Sequence, residues 1–223
     1  MSSAETRGFF PLPGDERLTT AILSDSCDAA GLRAQVLTER LAPVVAGTRT
    51  IGRARTLRFA PSLVDQPEDP YGDAIDAIDD LGEGELVVIA TDRSNDSAFW
   101  GELFSAAARG AGAVGVITDG NLRDTDRIAA LGFPAFSRSR RPIDFRARLR
   151  IVDVDAPVVL GGVRIEAGDL VMADDDGVVV VPRSHEERVL GLARERASRE
   201  STVLTELLAG ESLRSVWDRH RVL

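Results

Sequence analysis

The chain has 223 residues with 27 basic and 36 acidic side chains, a formal net charge of −9, which points to a soluble cytosolic protein and away from nucleic-acid binding. A hydrophobic share of 43% with 5% aromatic side chains is ordinary globular composition, and a chain this long can bury a full core, so wholesale disorder is excluded. All 27 basic residues are Arg and none is Lys, which excludes a lysine Schiff base, PLP attachment, the GxxxxGK[ST] phosphate loop and the kinase strand lysine together.

The opening stretch MSSAETRGFFPLPGDERL carries acids and prolines where a signal peptide needs a basic start and an apolar run. No apolar stretch approaches the about 18 residues of a membrane span, so the cytoplasm is the expected location and no membrane partner is expected. Asp15 to Gly31 reads as a helix that ends where a left-handed residue is cheap. Within it Cys27 is the only cysteine, which rules out an internal disulfide and a Cys-based zinc cluster and suits a reducing compartment. Residues 49–60 read as a strand with a bend at Gly52, and Ala74, Ile75 and Ile78 give a short helix an apolar face within the Asp65 to Gly84 stretch. ELVVIATD is a buried strand, and Phe99 to Arg109 an apolar helix. GAVGVITDG is a second strand, Asp124 to Leu131 a short helix, and PAFS a third strand. This β-α-β-α-β order predicts parallel pairing. After Pro142 short strands at 148–155, 157–160, 169–174 and 178–182 are separated by the turns GG, EAGD and DDDG, the pattern of an antiparallel half. A long helix from His185 to Leu208 and a short one from Glu211 to His220 close the chain, read as one domain over 1–223.

Several motifs are decoys. Gly110, Gly112 and Gly115 fit GxGxxG, but a helix precedes them and a strand follows, the reverse of a dinucleotide site. Asp174-Asp175-Asp176-Gly177 lacks the later bidentate Glu of a calcium loop and reads as a hairpin turn. His185 and His220 have no paired-ligand spacing and suit capping or surface roles, and no GxSxG elbow is present. Arg138, Arg140, Arg141, Arg146, Arg148 and Arg150 could hold an anionic partner but, on a chain of net −9, read as a solvated strand face.

What remains is acidic and evenly placed. Trp100-Gly101-Glu102-Leu103-Phe104 opens the central helix, Asn121-Leu122-Arg123-Asp124 opens the next, and 20 residues separate Glu102 from Arg123. In a parallel β-α-β unit both loops fall at one strand edge, where ligands sit and helix N-termini offer N–H groups to anions. Gly101 permits close backbone approach, Arg123 can clamp a carboxylate, Asp124 can hold a hard cation such as Mg²⁺, and Glu102 can order a metal-bound water. The same residues also suit a simpler role, with Arg123 and Asp124 starting a helix that Asp124 caps.

At these residues the sequence resembles the RraA-like family, which includes class II aldolases for 4-hydroxy-4-methyl-2-oxoglutarate and ribonuclease E activity regulator A. The resemblance runs from SDSCDAAG through WGELFSAAARGAGAVGVITDGNLRD and LGFPAFSR to GVRIEAGDLVMADDDGVVVVP and the Glu-rich tail helix. It implies a single-domain α-β-β-α sandwich of the α/β class, with a mixed central sheet and a C-terminal helical tail, assembled as a homotrimer or homohexamer. It implies Mg²⁺ or Mn²⁺ held directly by Asp124, with Glu102 holding metal waters. Arg123 and the backbone around Gly101, Leu103 and Phe104 would bind the pyruvate moiety, and Glu200 from a neighbouring subunit would reach the metal waters. Family aldolases often carry Asp where this chain has Glu102.

The chemistry of the class agrees with the residues. Carbon–carbon cleavage beside a carbonyl needs an electron sink, and without Lys a metal must serve, stabilising a pyruvate enolate with help from Arg123. The expected activity is cleavage of a 4-hydroxy-2-oxo acid, with oxaloacetate decarboxylation as a companion, acting on a small 2-oxo acid substrate and no nucleic acid. The alternative is a non-catalytic regulator docking on a ribonuclease or other protein partner. The wall opposite the pyruvate site is expected from the helix near Asp25 and Asp28, from the Asp65–Asp73 loop and from a neighbouring subunit.

Overall fold

The computed structural model describes residues 15–63 and 68–222. Residues 1–14 of the N-terminal stretch argued above not to be a signal peptide, and residues 64–67 of the expected wall loop, lie outside them. A 3-10 turn at Asp15–Arg17 leads into α1 (Thr20–Ala29), where Thr19 caps the first turn by accepting the Ile22 N–H at 3.2 Å. β1 (Ala42–Pro43), β2 (Thr50–Pro61) and α2 (Gly72–Asp79) follow. The central run is β3 (Glu85–Ala90), β4 (Ala98–Trp100), α3 (Glu102–Gly110), β5 (Gly115–Leu122), α4 (Thr125–Leu131) and β6 (Ala135–Arg140). The second half holds β7 (Leu149–Val154), β8 (Val158–Leu160), β9 (Val163–Ile165), β10 (Leu170–Ala173), β11 (Val178–Val181), α5 (Glu186–Leu208) and α6 (Leu213–His220).

The main sheet runs β1-β6-β5-β3-β2-β10-β11, with β4 beside β5 and β7 beside β2. β2, β3, β5 and β6 are parallel, while β7, β10 and β11 join antiparallel, which makes the sheet mixed. β3 is apolar without alternation because both its faces are covered. Val87 and Ile89 pack with Phe59, Phe99 and α2, whereas Leu86 and Val88 pack with Ile117, Phe136 and the β8–β9 hairpin. β10 and β11 curl over this second core, and their outward residues Leu170, Met172, Val179 and Val181 meet α1 and α5. The result is helix, sheet, sheet, helix.

Four sequence expectations change. The first helix begins at Thr20, because Asp15–Arg17 forms a separate turn in which the Asp15 carboxylate takes the Arg194 guanidinium at 2.7 Å. The central helix does not begin at Phe99: Ala98–Trp100 is a strand paired with the end of β5, and α3 starts at Glu102. A short buried apolar run carries no period that separates strand from helix. Gly52 lies in regular pairing with β10, and the irregularity in β2 falls between Arg58 and Phe59. Glycine is needed at 52 for space, since a Cβ there would lie 2.5 Å from the Val114 side chain. Finally, β9 is an additional strand, joined to β8 through Gly161 and Gly162 at φ +49° and +80°, the pair of left-handed residues a two-residue hairpin favours.

The other motifs resolve as structure. Gly112, at φ +90°, turns α3 into β5. Asp174 accepts the Thr20 N–H at 2.9 Å and its hydroxyl at 2.6 Å, and Asp175 accepts the Gly47 N–H at 2.7 Å, so the DDDG hairpin commits these carboxylates internally. His185 bonds Ser184 and His220 bonds Glu206, each at 2.9 Å. Part of the Arg run is structural rather than solvated: Arg138 donates to the carbonyls of Asp119 and Arg93 and to Asn95. No helix among the described residues is long and apolar enough to cross a membrane.

β4 continues the line of β3 after an excursion through residues 91–97, and β5 holds that excursion in place. The Asp119 carboxylate accepts the Thr91 N–H and hydroxyl, each at 2.8 Å, and the Arg93 N–H at 3.1 Å. Burial pushes its carboxyl above the usual value in spite of these bonds. Asn121 donates to the Ser97 carbonyl at 2.8 Å. Gly120 between them has no room for a side chain, since a Cβ would sit 2.6 Å from the Phe99 ring and 2.9 Å from Thr91. Gly120→Ala is expected to destabilise by about 1–3 kcal/mol through overpacking. At about 2–4 °C per kcal/mol for a chain of this size, thermal unfolding should show a clearly lowered midpoint.

Candidate active site

Parallel pairing of β4 with β5 brings their C-terminal ends side by side, with Ala98 opposite Asn121 and Trp100 opposite Leu122. The loops that follow are tied together by the Arg123 N–H, which donates to the Trp100 carbonyl at 3.0 Å. Gly101, Glu102, Leu103 and Phe104 on one loop therefore face Arg123 and Asp124 on the other, as the sequence spacing predicts. The cleft between them has a volume of about 290 Å³.

Gly101 is extended, at φ −152°, so its backbone conformation suits any residue. Space decides its identity, because a Cβ would lie 2.7 Å from Asp124 Oδ2 and 3.1 Å from Arg123 Cγ. Asp124 occupies the cap position of α4 but is left-handed, at φ +54°, and its side chain makes no capping hydrogen bond. Its Oδ2 instead stands 3.5 Å from the Glu102 nitrogen and 3.7 Å from Arg123 Nε. The capping role considered above is thus not the one it plays. The N–H groups of Leu103 and Phe104 belong to the first turn of α3, which an α-helix leaves unpaired and which carries positive partial charge.

Arg123 is oriented by a residue that sequence reasoning missed. Asp144 Oδ2 lies 3.2 Å from Arg123 Nη1 and accepts the Tyr71 hydroxyl at 2.5 Å, while its Oδ1 accepts the Arg146 N–H at 3.1 Å. Burial works against the charged Asp144, but the Tyr71 and Arg146 hydrogen bonds and the Arg123 charge outweigh it and hold the carboxyl below its usual range. Burial, the bond to Asp144 and the Asp144 charge keep the Tyr71 phenol above its usual value, hence protonated. Asp144 lies in RRPIDF, a segment without periodicity; Tyr71, the single tyrosine of the chain, was the available signal.

Glu102 stands beside Arg127 of α4 at 3.5 Å, on the rim. Within one chain Glu200 is not at the cleft: it lies on α5 paired with Arg196 at 2.7 Å, and Arg196 also holds Asp25 at 2.6 Å. Asp25 and Asp28 do not line the cleft either, whereas Tyr71 and Ile75, at and beyond the end of the expected wall loop, do. Among the described residues no three His, Cys, Asp or Glu side chains converge as a ready metal cage. Asp124 nevertheless packs so closely on Gly101 that a Cβ cannot enter, and Glu102 lines the same cleft, so both side chains offer oxygen donors there. That suits a hard cation bound through one or two carboxylates and otherwise by water and substrate.

A family model for RraA-like proteins, described as Aldolase/RraA, matches residues 20–180. The chain belongs to the RraA-like family. A protein of Halalkalibacterium halodurans named "Putative 4-hydroxy-4-methyl-2-oxoglutarate aldolase" is 31% identical over 182 residues, which cover 80% of each chain. Protein DlpA of Legionella pneumophila is 26% identical over 194 residues, 87% of this chain, and the match spans only 31% of that longer protein. Among solved structures, Streptomyces coelicolor RraAS2, described as an unusual member of the RNase ES inhibitor RraA protein family, superposes with a TM-score of 0.74 at 26% identity, covering 85% of this chain and 93% of its own. The RraA-like family thus holds both aldolase names and regulator names.

The lowered Asp144 carboxyl has a consequence for stability. A carboxylate whose folded value lies below its unfolded value stabilises above the unfolded value, about 4 for Asp, and loses that contribution as pH falls through the folded one. In urea unfolding across pH, the stability gap between wild type and Asp144→Asn should be widest above about pH 4 and narrow on acidification below it.

Proposed function

We propose that this RraA-like protein is a divalent-metal-dependent lyase that releases pyruvate from a 4-hydroxy-2-oxo acid, such as 4-hydroxy-4-methyl-2-oxoglutarate, and that also decarboxylates oxaloacetate. The observation that carries the reading is the pairing of Arg123 and Asp124 against Gly101 and the first turn of α3 across one cleft. The Arg123 fork and the Leu103 and Phe104 N–H groups hold the substrate's 1-carboxylate, a geometry that suits planar anion recognition. Asp124 would hold Mg²⁺ or Mn²⁺ directly, and Glu102 and Glu200 of a neighbouring copy in a homotrimer or homohexamer would hold its waters. When bound, the metal supplies Lewis-acid polarisation of the 2-oxo group. Glu102 accepts the 4-hydroxyl proton through a water as the C3–C4 bond breaks. The electron pair moves to C3, which then takes a proton to give pyruvate. Arg123 adds positive charge where negative charge develops.

The cytoplasm is the proposed location and residues 1–223 the proposed single domain. A second reading, a non-catalytic regulator bound to a ribonuclease or another protein, draws on the likeness to RraAS2. The complete Glu102, Arg123 and Asp124 set favours the lyase, since docking has no need of it.

Pyruvate release from oxaloacetate and from 4-hydroxy-4-methyl-2-oxoglutarate, followed with coupled lactate dehydrogenase, should require Mg²⁺ and stop with EDTA. Arg123→Ala and Asp124→Ala should each lower the rate by about 10²-fold or more while leaving assembly intact. Robust turnover in either variant refutes the assignment. Gly101→Ala, which drives a methyl group into Asp124, should lose activity to a comparable degree.

A further inference from the structure

The carboxylate that faces Arg123 is placed from two directions. Its backbone lies against β4, where the Ala98 N–H donates to the Ile143 carbonyl at 2.6 Å and Ala98 forms an isolated parallel bridge with Asp144. Its side chain is met from α2. Tyr71 stands at the N-terminal cap position of that helix, its ring edge-on to Phe145 at 5.5 Å, and Phe145 is edge-on to Phe59 of β2 at 5.3 Å. The phenol is thus delivered to a fixed point. The two carboxylate oxygens are used differently. Oδ1 accepts the Arg146 N–H at 3.1 Å, whereas Oδ2 is shared: it accepts the Tyr71 hydroxyl at 2.5 Å and faces Arg123 Nη1 at 3.2 Å. On that shared oxygen the phenol is the closer partner and the guanidinium the looser one. Arg123 lines the cleft and keeps 36% of its side chain exposed.

A carboxylate beside a substrate-binding arginine has two opposed effects. It orients the guanidinium, and it competes with the incoming carboxylate, since both are planar anions matched to one fork. A neutral donor seated on the shared oxygen shifts that balance, because a hydrogen bond to the charged form disperses part of the negative charge that Arg123 feels. We infer that Tyr71 is a positioning residue of the cleft: its hydroxyl keeps Asp144 where it orients Arg123 without closing on it, which leaves the guanidinium available to the carboxylate of a 2-oxo acid. Tyr71 acts through Asp144 and Arg123 and not on the substrate. The inference rests on the reading of Arg123 as the clamp for the 1-carboxylate, and it makes α2 part of that clamp.

The test is a double-mutant cycle on the full chain, read by calorimetric titration with pyruvate in Mg²⁺. Tyr71→Phe keeps the ring and its packing and removes only the hydroxyl. It should weaken pyruvate binding about three- to tenfold, the scale of one ordinary hydrogen bond. In the Asp144→Asn background the same substitution should change binding by less than about twofold, because the charge through which the hydroxyl acts is gone. A purely structural role gives the same loss in both backgrounds. In turnover Tyr71→Phe should raise KM by a factor similar to the binding loss while kcat stays within about twofold, the mark of lost binding. Circular dichroism checks the fold of each variant, and Asp144→Ser replaces Asp144→Asn if the latter does not fold. Wild-type affinity in Tyr71→Phe, or an equal loss in both backgrounds, overturns the inference; if Arg123→Ala has meanwhile lost pyruvate binding, the clamp reading stands without it. Binding that survives unchanged in Arg123→Ala, or that is absent from the wild type, overturns the clamp and the inference together.

Discussion

The Asp119 carboxylate is the constraint on which the site depends. It is buried in β5 and fully engaged by three donors from the segment that leaves β3. Those bonds bring the chain back into line after two consecutive left-handed non-glycine residues, Asp92 and Arg93, at φ +52° and +61°. Such backbone is costly and persists where surrounding interactions over-determine it. Only because the chain returns in register can β4 pair with the end of β5, and only that pairing sets Gly101 against Asp124. The cleft thus inherits its geometry from a hydrogen-bond network on the sheet, a more rigid foundation than a loop alone could provide.

The absence of lysine shapes the electrostatics as well as the chemistry. Arg55, only 3% exposed in β2, reaches Asp80 at 2.8 Å and Asp155 at 3.0 Å with different nitrogens of one guanidinium. A single planar fork so joins the end of α2 to the segment after β7, which a lysine's point charge would do less well. Because α2 and the turn before it carry Ile75 and Tyr71, the hold of the buried Arg55 on the end of α2 also helps to place that side of the cleft. Asp144 does for Arg123 what Asp80 and Asp155 do for Arg55: it fixes the plane of the fork, so fewer side-chain rotations are lost when a ligand binds.

Much of this was legible in the sequence because the decisive features are local or periodic. The apolar run at 85–90, the glycine-marked turns and the 20-residue interval between Glu102 and Arg123 each fix an element or place it at the parallel sheet edge. What escaped depends on contacts between distant segments. The residues Ala98–Trp100 are too short to show a period, and Gly52 and Gly120 are glycine for the sake of Val114 and Phe99. Asp144 acts on Arg123 from 21 positions further along the chain, out of a segment whose own pattern announces nothing.

The tie between Thr20 and Asp174 spans 154 positions. The helix it anchors packs on α5 and β11, both encoded near the far end of the chain. During synthesis α1 is made well before the segments it packs against. Until residues 170–197 are made, Leu18, Ile22 and Leu23, all destined to be buried, lack most of the cluster that covers them. The parallel core of β2, β3, β5 and β6 can assemble from the middle of the chain, so the order of folding runs from the site outward. Closure of this long loop completes the outer layer, and contacts so far apart in the chain form slowly.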